Sequence, residues 1–248
     1  MKKISVIGLG KLGSCMAAAY ASKGFEVVGV DLNQAYVDAI NDKRPPVTEP
    51  QLAEYIEKSA KNLRATTNTQ EAVLESDATF IIVPTPTDGT GGFTTVFVEK
   101  ACEEIGKALA KKESYHLVVL TSTVLPGSSE EKIIPALEKY SGKKCGKDFG
   151  YCYSPEFIAI GSVIKNLLNP DFFLIGEYDE RSGNALSKFY EKVCDNNAPM
   201  ERMNIPSAEL AKISLNTFIT NKITFANMIA EVAEQIPGAD ASKILETI

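Results

Sequence analysis

Tryptophan is absent from this 248-residue chain, and histidine occurs once, at position 116. A single imidazole, His116, sitting among strand-like residues, leaves little material for histidine acid–base catalysis or a histidine metal site, so no metal is expected. Positive charge is also in short supply. The 26 Lys and Arg against 32 Asp and Glu give a formal charge of −6 at pH 7. Nucleic acid needs a net basic stripe, so it is not an expected partner. No apolar run approaches the ~20 residues of a membrane-spanning helix. The apolar stretch in Met1-Lys2-Lys3-Ile4-Ser5-Val6-Ile7-Gly8 is too short for a signal peptide. No membrane partner is expected. The 5 cysteines, Cys15, Cys102, Cys145, Cys152 and Cys194, are odd in number and irregular in spacing. They fit neither a zinc site nor a disulfide framework, and point to a reducing cytoplasm. At 44% hydrophobic and 23% charged, the composition is that of an ordinary soluble globular protein.

What the chain does have is alternation. Ile4–Ile7, Val27–Val30, Phe80–Val83 and Leu117–Leu120 are apolar throughout and rich in β-branched residues. Strands buried on both faces of a parallel sheet have this character. Between the first two lies a helical stripe, Leu12, Cys15, Met16, Ala19 and Tyr20, and residues 95–110 carry another (Val96, Val98, Cys102, Ile105, Leu109). Tyr151–Tyr153 and Phe172–Ile175 are further strands, followed by a helix at about 179–194. The pattern predicts a doubly wound, mostly parallel α/β sheet over residues 1–203. Residues 204–248 differ. Ser207 to Ile236 contains no Gly or Pro, with Pro206 and Gly238 as flanking start and stop. Such a helix would be ~45 Å long at 1.5 Å per residue. It is apolar on more than one side, so another domain or another subunit must cover it. The last residues, Ala241–Ile248, are helical in character without a C-cap glycine, a proline or a polar tail, and the end reads as cut.

Gly8-Leu9-Gly10-Lys11-Leu12-Gly13 is a GxGxxG pattern that follows a strand and opens a helix. In that setting it predicts a dinucleotide site. Gly8 makes the tight turn, Gly10 lets backbone N–H groups approach a pyrophosphate, and Gly13 lets helix and strand pack closely. Asp31 follows the second strand, 31 − 8 = 23 positions after Gly8. Its carboxylate can accept both adenosine ribose hydroxyls and would repel a 2′-phosphate, which favours NAD over NADP. Arg44 is the one dissenting cation, well past Asp31. The alternative is a glycine-rich turn without a ligand.

Three later strand ends carry polar loops marked by proline: Val83-Pro84-Thr85-Pro86-Thr87, Thr121-Ser122-Thr123-Val124-Leu125-Pro126-Gly127 and Tyr153-Ser154-Pro155-Glu156-Phe157. Ligands of open α/β sheets bind beyond such ends. Turn chemistry alone also accounts for Pro, Ser and Thr in loops. Lys212 and Asn216 are four apart on the long helix and so share a face. A lysine beside an amide suits a site where a hydroxyl loses its proton and charge grows on oxygen. A solvated lysine near a helical asparagine is the plainer alternative.

Taken together, these motifs resemble the UDP-glucose/GDP-mannose 6-dehydrogenase family. Asn169-Pro170-Asp171 and Ala208-Glu209-Leu210-Ala211-Lys212 occur in the expected order, and the resemblance covers nearly the whole chain. It implies a Rossmann-like domain followed by the start of a helical central domain. It implies oxidation of the C6 alcohol of a nucleotide sugar to the uronic acid with NAD, in polysaccharide biosynthesis, by a homodimer joined through the long helix. By resemblance, Gly8, Gly10, Lys11, Leu12, Gly13 and Asp31 bind NAD, with Val83, Thr85, Thr87, Ser122 and Thr123 lining the nicotinamide side. Lys212 and Asn216 hold the C6 oxygen, Thr123 assists through an ordered water, and Glu156 is acid and base in thioester hydrolysis. Glu156, Phe157, Lys212 and Asn216 touch the sugar nucleotide. Ile160 stands where many members have a second glutamate, Tyr36 where many have a basic residue, and Met228 where an acid is common. None of the cysteines has the family's Phe-Gly-Gly-x-Cys neighbourhood. The expectation is a stretch that binds NAD without completing the four-electron oxidation. The residues leave two other readings: a β-hydroxyacid dehydrogenase, which should show glycines where Met203-Asn204-Ile205-Pro206 stands, and a non-catalytic NAD-binding or dimerisation module.

Overall fold

The apolar segments become strands because each is covered on both faces. The computed structural model describes residues 1–89 and 91–248. In chain order the elements are β1 (Lys3–Ile7), α1 (Lys11–Ser22), β2 (Glu26–Val30), α2 (Gln34–Asn41), α3 (Leu52–Lys58), β3 (Leu63–Thr66), α4 (Thr69–Glu75) and β4 (Ala78–Ile81). Then come α5 (Val96–Lys111), β5 (Leu117–Leu120), a π-helical turn (Ser129–Ile133), α6 (Ile134–Ser141), β6 (Gly150–Tyr153), α7 (Val163–Leu168), β7 (Phe173–Glu177) and α8 (Glu180–Val193). The series ends with β8 (Met200–Asn204), α9 (Ile205–Glu234) and α10 (Ala241–Thr247).

The strands form one sheet in the order β3-β2-β1-β4-β5-β6-β7-β8. β1 to β6 pair in parallel, β7 runs antiparallel to β6, and β8 is parallel to β7. The order reverses beside β1, which has β2 on one side and β4 on the other. Such a switch point opens a crevice at the carboxyl ends of the strands.

Two edge strands escape the apolar pattern. β3 (Leu-Arg-Ala-Thr) is covered on one face, and β8 (Met-Glu-Arg-Met-Asn) is largely exposed. The long helix begins at Ile205, earlier than the Gly/Pro-free run suggests, with Pro206 in its first turn. A missing N–H costs no helical bond there. It stops at Glu234, short of Ile236. In the second helical stripe Val96 faces outward, 42% exposed, while Val98, Cys102, Ile105 and Leu109 are buried.

Two features stiffen the core. Tyr20, Phe80 and Phe189 meet with ring centroids 4.9–5.3 Å apart, and Phe173 stacks on Tyr190 at 4.0 Å. His116 is fully buried. Its Nδ1 lies 3.1 Å from the Ser76 carbonyl, and its Nε2 lies 2.8 Å from Thr79 Oγ1. Thr79 Oγ1 is 2.6 Å from Ser5 Oγ, itself 3.0 Å from Ser76 Oγ. A carbonyl only accepts, so Nδ1 carries the hydrogen and Nε2 accepts from Thr79. Burial holds the imidazole neutral, with its pKa lowered to about 3.

The chain divides into two compact units, Met1–Glu209 and Leu210–Ile248. The first turn of α9 thus belongs with the sheet, where Ile205, Ala208 and Glu209 are buried. The second unit comprises the remainder of α9 and α10, whose N-cap Asp240 accepts from the Ser242 and Lys243 amides. On it Leu210, Phe218, Ile219, Ile223, Phe225, Met228, Val232 and Ile236 are 46–60% exposed. No helix among the described residues is long and apolar enough to cross a membrane.

Candidate functional site

The glycine loop sits at the switch point, between β1 and α1. Gly8 takes φ +102°, and a Cβ there would lie 2.3 Å from the Ile82 carbonyl oxygen. A Cβ on Gly13 would lie 1.9 Å from the Gly8 carbonyl oxygen. Gly10 is different: nothing lies within 4 Å of where its Cβ would be. It is the N-cap of α1, which has no side-chain cap and no acidic residue in its first turn. The first N–H groups of that helix face an open side at its positive end, as an anion site requires.

Asp31 closes the loop from the end of β2. Its Oδ2 accepts the Leu9 N–H at 2.7 Å, and its Oδ1 accepts the Asn33 N–H at 2.8 Å. The carboxylate therefore also holds the glycine loop, a task its spacing does not reveal. Each oxygen keeps a further lone pair for a ligand hydroxyl. Beside it lies a cavity of about 290 Å³, walled by Ile7, Val30, Leu32, Val83, Pro84 and Phe97, with Thr69 and Lys100 also lining it. Leu32 is 91% exposed. An apolar slot with a carboxylate at one wall suits a flat ring joined to a ribose. Leu32, Thr69 and Phe97 carry no motif, although an apolar residue directly after the acid is a usable signal. The open Gly10, the uncapped helix and the Asp31 slot together fit a dinucleotide. Arg44 pairs with Asp42 at 2.9 Å, and Tyr36 packs against the core.

The two loops expected on the nicotinamide side are laced to each other. Ser122 Oγ accepts the Val83 N–H at 2.9 Å and donates to the Val83 carbonyl at 2.7 Å. Thr85 Oγ1 donates to the Thr123 carbonyl at 2.7 Å. These hydroxyls spend their hydrogens on loop structure rather than on a ligand. Thr87 bridges to Phe93 within its own loop. Beyond Thr123, the Gly127 and Ser129 amides donate to the fully buried Glu209 carboxylate at 2.6 and 3.0 Å. Glu209 thereby caps the π-helical turn from the first turn of α9.

The third loop leaves β6 at Ser154, whose Oγ donates to the Leu174 carbonyl and meets the Tyr190 hydroxyl, each at 2.9 Å. Phe157 packs against Phe172 with centroids 4.9 Å apart. Glu156, Phe157, Asn166, Asn169 and Asp171 line a second hollow of about 120 Å³. Burial, and then the Glu156 charge, push the Tyr190 hydroxyl pKa upward. Ile160 is 71% exposed.

Lys212 and Asn216, in the second unit, stand one turn apart on one face of α9. Cys15, Cys102, Cys145 and Cys152 are buried. Burial raises all four thiols, Cys15 and Cys145 to about 12 and the other two further. The thiolate is the nucleophile, so these cysteines are inert at neutral pH. Cys194, at the end of α8, is half-buried. Among the described residues no group of three or more His, Cys, Asp and Glu is placed to hold a metal ion.

Residues 2–194 match the UDP-glucose/GDP-mannose dehydrogenase family, NAD binding domain, and residues 206–248 match the central domain of the same family. The GDP-mannose 6-dehydrogenase of Azotobacter vinelandii is 39% identical over 248 residues, covering 99% of this chain and 56% of that one. The UDP-glucose 6-dehydrogenase AglM of Haloferax volcanii is 35% identical, covering 99% of this chain and 57% of that one. Among solved structures, a ternary complex of GDP-mannose dehydrogenase from Pseudomonas aeruginosa superposes with a TM-score of 0.95 at 36% identity, covering 100% of this chain and 56% of that one. The chain thus spans about half the length of the curated relatives it matches. It belongs to the UDP-glucose/GDP-mannose dehydrogenase family.

Proposed function

We propose that this chain provides the NAD site and the alcohol-oxidising residues of a nucleotide-sugar 6-dehydrogenase, which converts the C6 alcohol of a UDP- or GDP-linked sugar to the uronic acid. The observation that carries this reading is the crevice at the switch point. There the open Gly10, the uncapped α1 terminus and Asp31 meet an apolar slot, in a chain whose relatives are GDP-mannose and UDP-glucose 6-dehydrogenases.

The α1 amides would hold the pyrophosphate, and Asp31 the adenosine ribose. Bound NAD supplies a hydride acceptor. Removing a hydride from C6 also requires removal of the hydroxyl proton, and charge grows on O6 as that proton leaves. The Lys212 ammonium and the Asn216 amide N–H stabilise that oxygen. Thr123 assists by orienting a water that takes the hydroxyl proton. Glu156 serves as acid and base in the later hydrolysis. A second oxidation without release of the aldehyde needs a thiolate to form a thiohemiacetal. The four buried thiols do not supply one, and Cys194 at the end of α8 lacks the Phe-Gly-Gly-x-Cys neighbourhood, so this stretch is assigned the first hydride removal only. Nucleotide sugar is the partner molecule, the reducing cytoplasm the setting, and a homodimer through the exposed α9 face the assembly.

The test is calorimetric titration of the 248-residue chain with NAD, NADP, UDP-glucose and GDP-mannose, with NADH formation followed by absorbance. NAD is expected to bind at least about tenfold more tightly than NADP, because Asp31 opposes a 2′-phosphate. Asp31→Ala should weaken NAD by about tenfold and erase that preference. Equal binding of NAD and NADP, or robust uronate formation by this chain alone, would overturn the reading.

A further inference from the structure

Glu49 lies in an irregular stretch, Pro45-Pro46-Val47-Thr48-Glu49-Pro50, between α2 and α3, and is only 8% exposed. A carboxylate is not buried without hydrogen-bond donors. Here the donors come from far along the chain. Glu49 Oε1 accepts the Gly161 N–H at 2.6 Å and the Val163 N–H at 3.4 Å, across 112 and 114 positions. Gly161 takes φ +100°, a turn that aims its amide at the carboxylate. Val163 opens α7, and the N-cap Ser162 makes no side-chain cap bond. Glu49 supplies the missing acceptor from a distant part of the chain. Burial, and then the Glu49 charge, raise the thiol of Cys15 on α1.

Residues 154–159 have no regular secondary structure, and they lead through exposed Ile160 to the amide that Glu49 holds. The near end of this segment is fixed by Ser154 on Leu174 and Tyr190. Its far end is fixed by Glu49. Neither Glu49 nor Gly161 lines the cavity beside Asp31. Resting on the reading of Glu156 and Phe157 as substrate-contacting, we infer that Glu49 is a positioning residue for nucleotide-sugar binding, fixing the Glu156–Gly161 loop through the Gly161 amide. A loop already ordered does not have to lose that freedom when the ligand binds. The dinucleotide crevice does not depend on it.

The experiment compares wild type with E49Q, E49D and E49A as full chains. Glutamine keeps the length and an acceptor. Aspartate keeps the charge but falls short by about 1.5 Å, one carbon–carbon bond. Hydrogen exchange over residues 157–164 reads the loop, and titrations with UDP-glucose, GDP-mannose and NAD read the two sites. E49D and E49A are expected to speed exchange in that segment by about tenfold and to weaken nucleotide-sugar binding by about tenfold. Their NAD affinity should stay within about twofold, and E49Q should stay near wild type on every readout. E49D alone decides the matter if E49A fails to fold. Unchanged exchange in E49D overturns the clamp. An equal loss of NAD affinity overturns a role specific to the substrate loop. A wild type that binds neither nucleotide sugar overturns the substrate reading and this role with it, while the exchange data still settle whether Glu49 holds Gly161.

Discussion

His116 shows how much a single side chain can govern when it is the only one of its kind. The Ser76, Ser5 and Thr79 hydroxyls and the imidazole form a closed relay that ends on the Ser76 carbonyl. Protonating Nε2 would force the Thr79 hydroxyl to turn its hydrogen away from the ring, in a fully buried site. The folded imidazole, lowered to about 3 by burial, therefore binds fewer protons than an unfolded one near 6.5. Stability then rises with pH through that window. It is fully present above pH 6.5 and is lost as pH falls toward 3. Its steepest slope is about 1.4 kcal/mol per pH unit. With no other histidine in the chain, comparison with a His116 variant isolates this slope. Urea midpoints are expected to fall between pH 6.5 and 5 in the wild type and to stay flat in His116→Gln, whose amide can accept from Thr79 and donate to Ser76. Parallel slopes in the two proteins would refute the assignment.

At the scale of the element, the loop from β1 to α1 separates two uses of glycine. Gly13 is required by packing, whereas nothing in the packing requires Gly10, and the proposed pyrophosphate would. Alanine at 13 would drive a methyl into the Gly8 carbonyl. The expected cost is about 3 kcal/mol or more, seen as a lower melting temperature or insoluble protein. Alanine at 10 meets open space at φ −67°, which any residue adopts. Gly10→Ala should therefore melt within about 0.5 kcal/mol of wild type, yet lose NAD affinity by about tenfold as the methyl takes the phosphate's approach. A Gly10→Ala protein that binds NAD normally would remove the pyrophosphate from this loop. The same loop explains what the sequence discloses. Its glycines follow one another within six residues, in a fixed pattern between a strand and a helix, so it can be read directly. The central strands are legible because both faces are buried. β3 and β8 are edge strands with a wet face, and nothing in Leu-Arg-Ala-Thr or Met-Glu-Arg-Met-Asn marks them. Glu49 and Glu209 are illegible for another reason. Each is a lone acid whose partners lie 112 and 82 positions away and are backbone amides, which leave no trace in residue type.

At the scale of the whole molecule, the question is what covers the second unit. On α9, Phe218, Phe225 and Val232 recur at intervals of seven, and Met228 falls on the same side; these four are 46–60% exposed. Ile219 and Ile223 lie on another side of the helix, 47% and 57% exposed. A seven-residue apolar seam is the pattern by which one helix packs along another. Apolar surface contributes about 25 cal/mol per Å² when removed from water, so a seam of several large side chains favours association strongly. A second copy of the chain offers the identical seam, and a twofold pairing buries both copies at once. Sedimentation velocity at micromolar concentration should therefore give a dimer for the wild type. Phe225→Glu places a charge in the middle of the seam and should return the monomer mass. Its NAD affinity should be unchanged within about twofold, because the crevice beside Asp31 is built entirely from residues of the first unit. A monomeric wild type, or a dimer indifferent to Phe225→Glu, would show that this seam belongs to some other partner.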